Sequence, residues 1–434
     1  MERGKARAFA EGLEGRRFRE NVPPAAAPEL AKLEQRILSL RVQLAPENES
    51  ILRGAGREPA VLRGDLDQAQ AQFALARQQA GLDSSRGSRT VKLEPPVLRA
   101  LRTKLPAGTA LVEYCILADS VTAFVVTRVS SQQVVWKTNS KALRGNVLRL
   151  RALLADANSG EQLAPLLAQV ATAVWKPVAS KLPPAVTRLV IVPAAYLNYL
   201  PFQVLPMEDG RAVIERYAVS YLPSASTMML LGGAPKMTHD LFLGALGNVS
   251  VDGWAPLPGT LRETEGIARI FPEAARANGN LLTHDRAVKA LQENREVHLA
   301  THGLLDEHAP LFSALLLSPA PGQPARLSMY ELMDLNVRAQ LVVLSACETG
   351  LGQLLGGDEV AGLTRTILGA GARTVVSSLW KVSDDATALL MQGFYRRLRA
   401  GENAPGAMRG AAMEVRKQYP HPFYWAPFLV TGAI

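Results

Sequence analysis

Apolar residues recur with a helical spacing in the first part of the chain. Those that recur at a 3-4-3-4 spacing are Leu30, Leu33, Ile37, Leu40 and Leu44. This spacing places them on one face of a helix, but it covers only about two heptads, where a coiled coil would show roughly three or four. We therefore predict that residues 1–90 form a helical arm whose apolar stripe packs against a neighbouring helix.

Beyond Leu101 the pattern changes to short apolar runs rich in β-branched residues, which alternate with helical stretches. The predicted strands before the loop at 232–235 are 110–117, 121–126, 134–136, 189–192 and 218–222. Those after the loop are 241–246, 297–301, 315–317, 341–346 and 374–380. Strands that alternate with helices indicate α/β layers. We expect a smaller α/β domain over residues 91–235 and a larger one over 236–434, with a mostly parallel, doubly wound sheet.

One helix start within the larger domain has a recognisable signal. Thr260 and Glu263 have the spacing of a capping box, which predicts a helix from this point to Phe271. In open parallel sheets, ligands bind beyond the carboxyl ends of the strands. The residues that follow the predicted strands are therefore the first candidates for chemistry.

Two predicted strands lead to reactive side chains. The run 297–301 is followed by His302 and Gly303, and the run 341–346 is followed by Cys347. If the two strands are parallel neighbours, an imidazole and a thiol face one crevice, as a cysteine nucleophile with a general acid–base requires. The backbone N–H groups of Gly303 and Cys347 are candidates for an oxyanion hole, since glycine allows a ligand to approach the backbone closely.

Simpler interpretations of these residues stay open. A cysteine that ends an apolar strand is more often a buried core residue, as we interpret Cys115, and a histidine there is more often structural. A metal site that joins His298 and His302 is not favoured, because two such positions on one strand lie about 13 Å apart. The glycines of 350–357 lack the Gly-Lys-Ser/Thr of a phosphate loop. We predict neither a metal nor another cofactor.

Charge and cysteine content narrow the choice of partners and compartment. The net charge is +9 over 434 residues, and most of the excess falls within residues 1–104, where basic residues are mixed with acidic ones. This mixture favours a solvated helical face over a nucleic-acid interface, with an acidic partner as the alternative. The chain has two cysteines, a charged N-terminus and no apolar run long enough for a membrane span. We expect a cytoplasmic protein without membrane contact.

Several ordered motifs resemble one protein family. The runs 297–303, 344–352 and 356–384 are similar to the CHAT domain, and the likeness extends upstream to cover roughly residues 100–434. CHAT domains are caspase-like cysteine peptidases, related to separase and caspases, and in bacteria they often follow tetratricopeptide repeats. The resemblance implies a caspase-hemoglobinase-like fold. Residues 2–8 resemble the segment after the last repeat of longer relatives, so the chain looks like such a protein without its repeat array.

The resemblance also implies residue roles. Cys347 would be the nucleophile, and His302 would assist the leaving amine without an acidic third residue. The strand 374–380 would border the cleft and pair with the substrate backbone. The residues expected to bind substrate are Ser345, Trp380 and Asp384. For Asp384, capping of the following helix stays an alternative, and for Trp380 a place in the core.

These features together predict a cytoplasmic cysteine endopeptidase that cleaves a protein substrate and is regulated by a partner docked on the helical arm. Two alternatives use the same cleft: a catalytically silent adaptor that binds a partner there, and a thiol-dependent acyltransferase. The presence of both His302 and Cys347 favours the enzyme.

Overall fold

The chain divides into two compact units. The computed structural model describes residues 59–79, 98–231, 237–304, 312–345, 359–381 and 383–433, with residue 233 and several positions between 29 and 40. Leu13–Lys92 forms one unit, and Leu93–Ile434 belongs to the other. No helix within the described ranges has both the length and the apolar character needed to cross a bilayer.

Helices occupy the described positions of the Leu13–Lys92 unit. Helix α1 spans Pro59–Gln79. The residues buried along one of its faces include Leu62, Ala69 and Phe73. The members of the predicted apolar stripe that have helical backbone are Leu33, Ile37 and Leu40. The other two members, Leu30 and Leu44, lie outside the described residues, and the arm as a domain stays a prediction.

The first half of the larger unit covers residues 98–231. Its helices are α2 (Leu98–Lys104), α3 (Ser140–Leu154), α4 (Gly160–Val174), α5 (Lys176–Ala179), α6 (Val213–Arg216) and α7 (Ala225–Leu231). Its strands are β1 (Thr109–Ile116), β2 (Ser120–Val126), β3 (Ser131–Lys137), β4 (Arg188–Val192) and β5 (Ala218–Tyr221). Strand β4 is almost entirely apolar and buried, as expected of a strand covered on both faces.

The second half continues from residue 237. Its strands are β6 (Leu241–Ala245), β7 (Ala275–Asn278), β8 (Glu296–Ala300), β9 (Gly303–Leu304), β10 (Ala314–Leu316), β11 (Arg326–Ser328), β12 (Leu341–Leu344), β13 (Thr374–Ser378) and β14 (Phe428–Gly432). Its helices are α8 (Pro258–Ile270), α9 (His284–Glu293), α10 (Met329–Asp334), α11 (Glu359–Ala370), α12 (Asp384–Arg399), α13 (Ala404–Gln418) and α14 (Pro422–Trp425).

Both halves contribute to one large sheet. Its strand order is β3-β2-β1-β4-β5-β14-β13-β12-β8-β6-β7. Strands β1, β4 and β5 are parallel, as are β6, β7, β8, β12 and β13, whereas β14 runs antiparallel to β13 and parallel to β5. The predicted α/β class with a mostly parallel sheet is therefore confirmed. The predicted boundary at residue 235 falls between the two sides of this sheet and stays a prediction.

Two details of the predicted sheet are wrong. The strand predicted at 315–317 is β10, which pairs antiparallel with β9 and β11 in a separate three-stranded sheet. Strand β13 borders the crevice through its last residue, Ser378, but it is not an edge strand, because β12 and β14 pair with its two sides. The N–H and C=O groups of an interior strand are already used, so a substrate backbone cannot pair along Thr374–Ser378. The apolar pattern of β13 could not reveal that β14 would occupy its second side.

The predicted capping box is also wrong. Helix α8 begins at Pro258, so Thr260 and Glu263 lie inside it. The Thr260 hydroxyl accepts a hydrogen bond from the Gly247 N–H at 3.0 Å, and Glu263 is buried. Helix α8 packs closely against α12, since a side chain at Gly259 would collide with Asp384 and one at Gly266 with Gln392. The glycines thus set the distance between two helices that border the candidate site.

Candidate active site

The carboxyl ends of β8 and β12 meet as the sequence predicts. The two strands are parallel neighbours in a register that pairs Leu299 with Leu344. The next residue, Ser345, donates its N–H to the carbonyl oxygen of Leu299 at 2.9 Å. A crevice of about 530 Å³ opens at this end of the sheet. The predicted site residues that line it are His302, Ser345, Trp380 and Asp384.

The remaining predicted groups are Cys347 and Gly303. Cys347 lies outside the described residues, and it follows Ser345 by two positions in the sequence. Gly303 is buried in β9, where it pairs with Leu315 of β10. The oxyanion-hole assignment of these two backbone N–H groups stays a prediction.

His302 is held in a defined orientation. Only 2% of the residue is exposed, and its ring lies 5.0 Å from the indole of Trp254, measured between centroids. The Nε2 atom lies 2.8 Å from the carbonyl oxygen of Ala255. Because a carbonyl oxygen only accepts, Nε2 carries the proton in this contact. In the neutral ring, Nδ1 is then the basic nitrogen, and the acceptor that orients the ring at Nε2 is a backbone carbonyl.

Ser345 is bonded through its side chain to a residue that the sequence did not single out as functional. Its hydroxyl donates to Oε2 of Glu263 at 3.0 Å, and Glu263 also lines the crevice. A hydroxyl has one proton to donate, so Ser345 can offer a ligand only its oxygen lone pairs while this bond persists. The capping-box spacing concealed Glu263, because the same Thr-x-x-Glu pattern is typical of solvent-exposed helix starts.

Asp384 lies at the mouth of the crevice, at the first position of α12. The residue before it, Ser383, is the N-cap and makes no side-chain capping bond. The Asp384 carboxylate lies 3.8 Å from the guanidinium of Arg262, and 47% of the side chain is exposed. Arg262 also contacts Asp385, at 3.3 Å. Asp384 is therefore a half-exposed carboxylate that is already opposed by one cation, and its role in the pocket stays a prediction.

Two placements were left open for Trp380, one in the core and one in the cleft, and the structure has features of both. It is 2% exposed, and its indole N–H donates to the carbonyl oxygen of Phe423 at 3.1 Å. Its own carbonyl oxygen accepts from the Ser378 hydroxyl at 2.5 Å. Trp380 is thus a core residue whose edge forms part of the crevice wall. This double placement suits a rigid wall better than a side chain that moves to meet a substrate.

Comparison with known proteins decides the family. The model of the CHAT domain matches residues 164–433, which is more than half of the chain. The chain belongs to the CHAT domain family. The family predicted from the motifs is confirmed, although the match begins later than the predicted start near residue 100.

Two curated proteins share sequence with this CHAT chain. They are Tetratricopeptide repeat protein 28 of Homo sapiens, 25% identical over 302 residues, and the protein of the same name from Mus musculus, 25% identical over 309 residues. Each alignment covers 57% of this chain and 12% of the relative. The CHAT chain thus spans only a small part of the length of the curated relatives that it matches.

Solved structures of the separase–securin complex of Saccharomyces cerevisiae are also similar to this chain. The crystal structure at 3.0 Å gives a TM-score of 0.41 at 12% identity, and the one at 2.6 Å gives 0.42 at 11%. The matches cover 92% and 94% of this chain, respectively, and 27% of the other chain in both cases.

Proposed function

We propose that this CHAT protein is a cysteine endopeptidase in which Cys347 is the nucleophile and His302 is the general acid–base. The observation that carries the proposal is the contact of His302 Nε2 with the Ala255 carbonyl oxygen, at the carboxyl end of β8 and beside Ser345. This contact directs the proton to Nε2 and makes Nδ1 the group that can accept one. The predicted nucleophile follows Ser345 by two residues.

The proposed reaction has two steps. Nδ1 of His302 takes the proton of the Cys347 thiol, the sulfur attacks the scissile carbonyl carbon, and the departing amine receives that proton as the thioester forms. A water molecule then attacks the thioester with the same imidazole as base, which releases the carboxylic acid product and restores the thiol. We assign stabilisation of the oxyanion to the N–H groups of Gly303 and Cys347.

Covalent labelling tests the assignment directly. A peptidyl acyloxymethyl ketone should modify Cys347 selectively in the intact protein, with the modified peptide identified by mass spectrometry. The matched control is Cys115→Ala, which removes the only other cysteine and should leave labelling unchanged. Cys347→Ala should abolish labelling and peptide cleavage.

Each alternative predicts a different result. If the intact protein binds a partner in the crevice but Cys347 is neither labelled selectively nor needed for any turnover, the protein is a silent adaptor and the proposal is wrong. If Cys347 is labelled but the products are acyl conjugates of an added amine without hydrolysis, the protein is an acyltransferase. Mass spectrometry of the products separates these results.

We propose further that the endopeptidase acts in the cytoplasm and that a partner regulates it through the helical arm of residues 1–90. The apolar stripe and the positive charge of this segment support docking of a helical or acidic protein. The curated relatives are named for tetratricopeptide repeats, which suit contacts with other proteins.

Deletion of residues 1–90 tests this regulatory proposal. A regulatory arm predicts a folded remainder with altered activity or without its response to the partner. If stability and activity are lost together, the arm only supports the fold and the regulatory proposal fails.

A further inference from the structure

A line of buried polar groups runs from the crevice wall into the interior. Glu263 Oε2 accepts from the Ser345 hydroxyl at 3.0 Å, and Glu263 Oε1 lies 3.1 Å from Nε2 of His298. On the far side of the ring, Nδ1 of His298 lies 3.2 Å from the hydroxyl of Tyr395. Ser345 directly follows β12, and the other three residues come from α8, β8 and α12, so the line connects four parts of the fold around the site. The proposed peptidase mechanism uses none of its interior members.

Burial of these ionisable groups has a cost in folding free energy. The His298 side chain is fully buried, and that of Glu263 is 4% exposed. Although Glu263 Oε1 and His298 Nε2 are at ion-pair distance, they are not aligned as a hydrogen bond. A buried ionisable pair of this kind contributes little net stability compared with apolar residues of the same size. Glu263 also lines the crevice, so the pair lies next to the candidate site.

Ser345 is the residue at which this line of buried polar groups reaches the crevice wall. The backbone of this residue is fixed by its N–H bond to Leu299, and its side chain is fixed by Glu263. Strand β12 ends at Leu344, so Ser345 is the first residue beyond the sheet on the way to Cys347. Without the carboxylate of Glu263, the N–H bond to Leu299 would be the hydrogen bond that the described residues still provide at this position. The imidazole of His298 in turn limits where the Glu263 carboxylate can lie.

We infer that Glu263 is a positioning residue, which holds Ser345 from the crevice wall and thereby sets the position from which the chain continues to Cys347. His298 and Tyr395 hold Glu263 from behind. The inference rests on the proposed function, because it gives Cys347 the role of nucleophile. A displacement of about 1 Å at a reacting atom can lower a rate by about 100-fold. In this scheme Glu263 acts through Ser345 and not on the reacting atoms.

The test compares Ser345→Ala with a matched control in the full chain. Ser377→Ala removes a buried hydroxyl from the neighbouring strand β13, where it pairs with Thr364 at 3.1 Å and does not line the crevice. Two readouts are needed besides the melting temperature. The first is the rate at which iodoacetamide alkylates Cys347 relative to Cys115 in the same molecule, and the second is kcat and KM on a peptide substrate.

Ser345→Ala should lower kcat by about 10- to 100-fold and slow the relative alkylation of Cys347, with KM little changed. Ser377→Ala should change neither rate. Glu263→Ala should match Ser345→Ala, and Glu263→Gln, which keeps an acceptor for the Ser345 hydroxyl, should recover much of the loss. The double variant Ser345→Ala/Glu263→Ala should lose no more than the worse single variant, because both remove one contact.

Two outcomes would overturn the inference. One is an unchanged alkylation ratio and kcat in Ser345→Ala, and the other is additive losses in the double variant, which would mean that the two residues act independently. The alkylation ratio does not depend on peptidase activity. If the wild-type protein cleaves no peptide but the ratio still falls in Ser345→Ala and Glu263→Ala, the positioning role stands and only the proposed function is wrong.

Discussion

The two sides of the large sheet each contain parallel strands, but they bury different sets of polar side chains. On the side that contains β1 to β5, Tyr114 donates to the carbonyl oxygen of Val174 at 3.0 Å, and Tyr221 donates to the side-chain oxygen of Gln203 at 2.9 Å. Burial raises the pKa of both phenols, so they stay neutral at physiological pH. The buried polar groups beside the crevice on the other side include Glu263, His298 and His302.

In the proposed function the chemistry belongs to the side with the crevice, because His302 lies there beside the ends of β8 and β12. Carboxyl and imidazole groups as classes exchange protons at lower pH than phenols do, and proton exchange near neutral pH is what a general acid–base needs. A parallel sheet supplies a crevice at its carboxyl edge, but the residue types at the strand ends decide what the crevice can do. In this proposal the side with β1 to β5 supports the crevice wall.

Arg151 of α3 connects the side with β1 to β5 to the crevice wall. This residue is 4% exposed, its guanidinium donates to the carbonyl oxygen of Leu379 at 3.1 Å, and it lies 4.7 Å above the ring centroid of Tyr199. Leu379 stands between Ser378 and Trp380, which both line the crevice. A buried cation from one side of the sheet therefore fixes the backbone of the crevice wall on the other.

The largest contrast between the two sides should appear in catalysis. His302→Ala should lower kcat by about 10²- to 10⁴-fold, because the general acid–base is lost. Tyr221→Phe should leave kcat unchanged and lower the free energy of unfolding by about 1–3 kcal/mol, because Gln203 loses a buried partner. Steady-state kinetics and urea unfolding of both variants measure the two effects.

A second histidine provides the control for this experiment. His239 is partly exposed and pairs with Glu273 at 3.2 Å, away from the crevice residues. His239→Ala should therefore retain wild-type kcat. Full activity in His302→Ala, or an equal loss in His239→Ala, would contradict the assignment of His302.

The next largest effect should concern specificity at the mouth of the crevice. If Asp384 binds the residue before the scissile bond, Asp384→Asn should lower kcat/KM for Lys and Arg substrates by about 10-fold and spare uncharged ones, since a charge-assisted contact is lost. Cleavage of a peptide library measures the preference. Asp385→Asn is the matched control, because Asp385 contacts the same Arg262 and does not line the crevice. An identical cleavage profile for both variants would leave Asp384 without a role in specificity.

The sequence predicted the strand ends better than it predicted their surroundings. Apolar runs located β8 and β12, and their parallel pairing brought His302 and Ser345 to one edge as expected. The roles of Glu263 and His298 were missed, because a pattern within one element cannot show a contact between α8 and β8. The carbonyl of Ala255 was missed for another reason, since a backbone acceptor leaves no trace in the residue types.

A smaller effect on stability and KM should follow when the contact of Arg151 with the crevice wall is lost. Arg151→Lys keeps the positive charge but removes the planar guanidinium that both donates to Leu379 and lies over Tyr199. We expect the free energy of unfolding to fall by about 1–3 kcal/mol, and KM to rise because the wall beside Trp380 loses its support. Chemical denaturation with parallel kinetics measures both. A change in stability without a change in KM would limit Arg151 to a structural role.

The smallest effect should be a pH dependence of stability that belongs to the side with the crevice. Nε2 of His284, on α9, lies 3.0 Å from Glu331 of α10, and Nδ1 lies 3.2 Å from Asp285. Burial lowers the pKa of His284, but the hydrogen bonds and charges of Glu331 and Asp285 together raise it above the ordinary value. The protonated form is therefore stabilised by folding.

A raised pKa fixes the direction of the pH dependence. The stabilising contribution of His284 is complete below the ordinary histidine pKa, near 6.5, and is lost as the pH rises through the higher pKa of the folded protein. His284→Gln should therefore lose up to about 1 kcal/mol relative to wild type at pH 6 and much less at pH 9. Urea unfolding of both proteins across this range measures the difference. Tyr221→Phe should show a pH-independent loss over the same range, because its phenol does not titrate there, and a constant loss in His284→Gln would show that the histidine contributes by packing and not by charge.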